Sequence, residues 1–132
     1  MLKNFKELKV RQKAYQLCLE IYRATRKFPK KEIYGPTSQI RRSSVSIPSN
    51  IAEGYGRKTV GEYIQSLYIA YGSNCELETQ ILLSGDLGFV EKEDMLRLQK
   101  DIGDVERMLK GLVKSLYKNT RTLDPLKPGT LS

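Results

Sequence analysis

Proton transfer near neutral pH falls most often to histidine, and this chain of 132 residues contains none. Ser-His-Asp and Cys-His catalysis, the H-E-x-x-H zinc site and any Glu-x-x-His di-metal site are thereby excluded. Cys18 and Cys75 belong to no C-x-x-C pair and sit inside apolar helical patterns, so both are read as reduced core thiols. Glu53, Glu62, Glu76 and Glu78 would suit a di-iron site only with histidine partners, and a structural role is expected for them. The stretch Gly54-Tyr55-Gly56-Arg57-Lys58-Thr59 shares glycines with nucleotide-binding loops. However, Arg57 stands where a Walker loop needs glycine, Thr59 replaces the third glycine of the dinucleotide fingerprint, and a helix precedes it instead of a strand. It reads as a helix-to-helix hinge. No catalytic residue, cofactor or metal ligand is expected, and the chain is read as non-enzymatic.

What the sequence does offer is positive charge. The formal net charge is +8, and it is unevenly spread. Residues 1–60 hold 14 Lys/Arg against 4 Asp/Glu, and residues 61–132 hold 9 against 11. Such asymmetry suits a polyanion partner or electrostatically guided self-association, against the plainer reading that lysines and arginines decorate solvated faces. Arg57 and Lys58, beside Tyr55 and just before a helix N-terminus, form the first candidate site for RNA or DNA. Lys30 and Lys31 form a second, with Arg23, Arg26 and Lys27 before them; Arg41 is a further candidate. Tyr15, Tyr22, Tyr63, Tyr68 and Tyr71 fall at positions better suited to packing than to stacking on bases.

These residues need elements to hold them, and the spacing of apolar residues predicts four helices. The first runs from about Asn4 to Lys27 on Leu8, Val10, Ala14, Leu17, Cys18, Ile21, Thr25 and Phe28. The second runs from about Lys31 to Glu53 on Ile33, Thr37, Ile40, Ser44, Ile47 and Ile51, with a kink expected near Pro48 and two shorter helices as the alternative. Thr59 is the expected N-cap of the third, with Glu62 completing a capping box, and the apolar pattern continues to about Leu83. The fourth has the cleanest seam, Met95, Leu98, Ile102, Val105, Leu109, Leu112 and Leu116. Short loops impose an antiparallel up-down-up-down four-helix bundle, all-α, over residues 1–118, with a mobile tail at 119–132.

Counting outward from Arg57 places Arg42 opposite Gly72 and Gln39 opposite Cys75, so Glu76 is expected to pair with Arg42, within reach of Gln39, where Gly72 lets the backbones approach. Asn50 and Ser46 are expected to satisfy backbone groups that Pro48 leaves unpaired. No apolar run is long enough to span a bilayer and no signal peptide is evident, so a soluble cytoplasmic protein is expected.

Tyr34-Gly35, Ser38-Gln39-Ile40-Arg41-Arg42 and Val45-Ser46-Ile47-Pro48-Ser49-Asn50-Ile51-Ala52-Glu53-Gly54 form a composite pattern, continued by Gly72-Ser73 and Glu76-Leu77-Glu78-Thr79-Gln80. With Phe5, Leu8, Val10, Lys13-Ala14 and Phe28-Pro29, this resembles the 23S rRNA intervening-sequence protein family over about residues 4–117. Arg11 stands where many members carry tryptophan. The resemblance implies a ring-shaped homopentamer. It also implies kinship with accessory proteins of diversity-generating retroelements, which bind nucleic acid and a reverse transcriptase. The leading functional expectation is therefore an oligomeric, nucleic-acid-binding bundle. The alternative is a homo-oligomeric scaffold that docks a protein such as a reverse transcriptase, with no direct nucleic-acid role.

Overall fold

A computed structural model describes residues 4–120, which form four α-helices and one short 3-10 turn. The strongest sequence signal becomes α4 (Lys92–Thr120), where Leu98, Ile102, Val105, Leu109, Leu112 and Leu116 are all buried and Met95 packs against them. In α1 (Asn4–Thr25), Val10, Ala14, Leu17 and Ile21 enter the core, whereas Leu8 remains exposed. Cys18 is half-buried, its sulfur 3.5 Å from Ser44 Oγ, and Cys75 lies on the surface, contrary to the expectation that both are core thiols.

The second helix begins later than its periodicity suggests. Residues Lys30–Glu32 form a separate 3-10 turn, and α2 covers Pro36–Tyr55. Pro36 occupies the first turn, where its missing N–H costs nothing, and it disfavours helical backbone at the preceding Gly35. Ile33 is consequently outside the helix and exposed. α2 then runs unbroken through Pro48, so the division into two helices does not occur.

Thr59 caps α3 (Val60–Asp86) as expected, its hydroxyl accepting from the Glu62 N–H at 3.1 Å. The chain leaves α3 through Gly88, whose φ of 81° favours glycine.

Side-chain contacts fix the topology. Ser46 meets Ser73 and Ser43 meets Glu76 between α2 and α3. Cys18 meets Ser44 and Arg41 meets Thr25 between α1 and α2. Asn74 donates to the Ile102 carbonyl, 3.0 Å away, and Gln99 to the Glu78 carbonyl, 3.1 Å away, between α3 and α4. Lys13 pairs with Asp101 and Glu20 with Arg97 between α1 and α4. In every pair one number rises as the other falls, which makes each neighbour antiparallel. Each helix packs on the two beside it and none crosses the diagonal. The result is a four-helix bundle with the core of all four helices at its centre. Among the described residues no helix is long and apolar enough to cross a membrane. The expected tail at 119–132 falls, from residue 121 onward, outside the described residues; Asn119 and Thr120 belong to α4.

Candidate nucleic-acid interface

Antiparallel order sends the candidate basic residues to opposite ends of the bundle. Arg57 and Lys58 lie between α2 and α3, at the end where α1 begins and α4 finishes. Arg23, Arg26, Lys27, Lys30 and Lys31 lie around the turn from α1 to α2, at the other end. The 20 residues of α2 separate these ends by about 30 Å. They are two sites.

At the hinge, Tyr55 closes α2 instead of lying in a loop, and its ring meets Tyr63 edge-on at 6.2 Å. Arg57 reaches back one turn to Glu53, 2.8 Å away, in an exposed pair. Lys58 is exposed and makes no ion pair among the described residues. The N-terminus of α3 is less open to an anion than its position suggests. Thr59 already accepts one of the N–H groups, and the carboxylate of Glu62 occupies the first turn.

The turn from α1 to α2 is arranged differently. Thr25 Oγ1 donates to the Ile21 carbonyl and receives Arg41 Nε at 2.8 Å. The Arg41 guanidinium also lies 4.7 Å from the centre of the Tyr22 ring. Arg41 thus braces α2 against α1, a positioning role. Arg23 pairs with Glu20 on its own helix. Beyond them Arg26, Lys27, Lys30 and Lys31 are all exposed and have no ion pair among the described residues. Phe28, buried against Phe89 with ring centres 5.4 Å apart, pins the turn that carries these four cations.

The expected polar network between α2 and α3 forms with other partners. Glu76 accepts from Ser43 Oγ at 3.4 Å, and no ion pair joins it to Arg42, which is exposed. Gln39 is exposed near Gln80 and Leu87, away from Glu76. The reason is register. Ser46–Ser73 and Ser43–Glu76 put the centre of the turn between Thr59 and Val60, beyond Arg57. Gly72 has nothing near its missing Cβ, and the close approach falls at Gly54, where a Cβ would stand 2.7 Å from that of Ser66. Asn50 Nδ2 donates to the Ser46 carbonyl at 2.8 Å and to Ser46 Oγ at 3.0 Å, and Ser46 Oγ meets Ser73 Oγ at 2.8 Å. The carbonyl that Pro48 frees is that of Ser44, so this chain of bonds joins helices without repairing that loss.

Two features escaped the sequence. Glu7 is buried beside Arg11, Nε to Oε2 2.6 Å, although charged residues flank it in the first turns of α1. In addition, Arg107, Lys110, Lys114 and Lys118 follow one another along α4 with no acid after Glu106. Averaging charge over residues 61–132 hides this run behind the acids of the preceding turns; counting by helix turn would have found it.

The fold and its exposed cations define a small, basic four-helix-bundle protein. The sequence model described as 23S rRNA-intervening sequence protein matches residues 6–111, and the chain belongs to that family. Among solved structures it is similar to a protein of unknown function from the S23 ribosomal protein family of Bacteroides thetaiotaomicron VPI-5482, with a TM-score of 0.78 and 22% identity. That alignment covers 83% of this chain and 99% of the other, and it supports the fold alone. A comparison with curated proteins gives no match.

Proposed function

We propose that this chain is a non-enzymatic, homo-oligomeric bundle that binds RNA or DNA through basic surfaces, chiefly the turn from α1 to α2. The observation that carries the reading is the group Arg26, Lys27, Lys30 and Lys31, exposed together with no ion pair among the described residues. Exposed cations left unneutralised by their own fold favour phosphate by counterion release, largely without regard to sequence. The hinge is the weaker surface, since Arg57 is engaged by Glu53 and Glu62 repels an anion from the start of α3.

Self-assembly is supported by a second observation. α3 carries no lysine or arginine, yet its outer side exposes Ile69 and Leu83, with Leu87 just past its end, alongside Glu62 and Glu76. Across the bundle, an open groove of about 650 Å³ between α1 and α2 is lined by Leu8, Tyr15, Val45 and Ala52, with Arg11 at its edge. The apolar face and the apolar groove lie on different sides of one molecule and can meet between copies; Arg11 is paired with Glu7, so apolar contact and not charge carries the fit. Such a contact is head-to-tail, the kind that generates a ring when the rotation between copies closes. The family resemblance sets the expected number at five.

The test is retardation of labelled RNA and DNA at ~150 mM salt by protein freed of co-purified nucleic acid. Binding is expected, and changing Arg26, Lys27, Lys30 and Lys31 together to Gln should weaken it. The slope of log affinity against log salt should become shallower by about 0.7 for each single-strand phosphate that the protein no longer neutralises. Absence of binding by the wild-type protein would leave the scaffold reading, in which charge serves only association with proteins.

A further inference from the structure

Tyr68 and Tyr71 on α3 and Tyr117 on α4 surround a pocket of about 450 Å³ whose floor is Leu109 and Val113. Three of the eight tyrosines in the chain therefore meet in one place. Tyr68 is 51% exposed, so its ring is not consumed by the core. Burial, and then the Tyr68 side chain, hold the Tyr117 phenol above its ordinary pKa.

The rim is basic. Lys110 and Lys114 both line the pocket. Lys110 lies 5.7 Å from the centre of the Tyr71 ring and is also held by Glu106 at 3.1 Å. Lys114 is exposed and has no ion pair among the described residues, and neither has Lys118 one turn further on. Residues four apart advance about 6 Å along a helix, so Lys110, Lys114 and Lys118 form a ladder along one side of α4. The bland account is that cations favour the C-terminal end of a helix dipole. That explains lysines near the end of α4, but it does not explain an open, apolar, tyrosine-walled pocket beside them.

We propose that this α3–α4 pocket is a base-stacking subsite for single-stranded nucleic acid. An unpaired base would lie against the Tyr68 ring over the apolar floor, and its flanking phosphates would meet Lys114 and Lys118. An aromatic platform beside a line of cations is the combination by which single strands are held without sequence preference. A duplex keeps its bases stacked on each other and has no face to offer. The proposal rests on the nucleic-acid reading above, but it concerns another surface and a narrower ligand.

The experiment uses the full chain, with oligouridylate and oligothymidylate of about ten nucleotides, within the span of such sites, and a duplex of equal length. Tyr68→Ala should weaken single-strand binding by about 5- to 150-fold, the equivalent of one base left unstacked, and leave duplex binding unchanged. Lys114→Gln should lower the single-strand salt slope by about 0.7. Because the chain has no tryptophan, Tyr68→Trp supplies a single reporter. It should restore affinity relative to Tyr68→Ala, and its emission should be quenched by the single strand and not by the duplex. If wild-type protein binds and Tyr68→Ala binds single strands equally well, the pocket is not the site while the broader reading stands. If Tyr68→Ala changes the oligomeric state, the pocket is covered by another copy and the proposal fails. If wild-type protein binds no nucleic acid, both readings fall together.

Discussion

Tyr63 carries a hydroxyl that the fold buries without a hydrogen-bond partner among the described residues. Burial raises its pKa well above the ordinary value of 10.0, and the nearby Glu7 carboxylate pushes in the same direction while Arg11 opposes it. A folded-state pKa above the unfolded one means that the associated stability is intact below about pH 10 and is lost as pH rises beyond it. Tyr63→Phe removes both the unpaired oxygen and the titration. Its denaturation midpoint at neutral pH should equal or exceed that of wild type, because a buried group without a partner contributes only a desolvation penalty. Its stability above pH 10 should fall less steeply than that of wild type. A clear loss of stability at neutral pH would mean that the hydroxyl has a partner after all. The sequence places Tyr63 among packing residues, but one residue type at one position cannot reveal whether its hydroxyl meets a partner. The same limit accounts for Glu7 and Cys75, whose burial and exposure are decided by neighbouring helices.

At the scale of elements, two glycines separate local propensity from packing. Exchanging glycine for alanine inside a helix ordinarily gains about 1 kcal/mol. At Gly54 the new Cβ would meet the Ser66 Cβ at 2.7 Å and the Tyr63 ring at 3.0 Å, so α2 and α3 would have to separate. Overpacking of this kind costs about 1–3 kcal/mol, enough to outweigh the helical gain. Gly54→Ala should therefore destabilise, whereas Gly111→Ala on α4, with nothing within 4 Å, should stabilise; chemical denaturation reads both signs directly. Thr59→Ala should cost about 0.5–2 kcal/mol by removing the cap of α3, and an unchanged midpoint would deny Thr59 that role. The elements were legible in proportion to their amphipathicity. α4, with one apolar side, is buried as its seam predicts. α3 is apolar on more than one side, so its seam predicts the core while saying nothing about Ile69 or Leu83 outside it. The polar contacts between α2 and α3 were illegible because register depends on where the turn is centred. The Ser43–Glu76 and Ser46–Ser73 contacts centre it between Thr59 and Val60 and not at Arg57, which brings Ser43 to Glu76 and leaves Arg42 exposed.

For the whole molecule, the proposed self-assembly makes a demand that two point variants can check. The proposed contact sets the outer side of α3 on one copy into the α1–α2 groove of the next, so each copy has one surface of each kind. Leu83 is 54% exposed and Val45 40%, so a charge at either position should disturb assembly more than folding. Leu83→Arg spoils every α3 face and leaves every groove intact. Val45→Glu spoils every groove and leaves every α3 face intact. Each variant alone should elute as a monomer by light scattering on a sizing column, with unchanged helical content. Mixing them restores a single good contact, between the groove of Leu83→Arg and the α3 face of Val45→Glu. A head-to-tail assembly therefore predicts a heterodimer that grows no further, because its two outer surfaces are both spoiled. Were the natural contact two-fold and self-complementary through α3 alone, Val45→Glu would still assemble by itself and the mixture would form no heterodimer. A wild-type protein that remains monomeric at micromolar concentration would reject the ring, together with the contribution of multivalency to holding a polyanion.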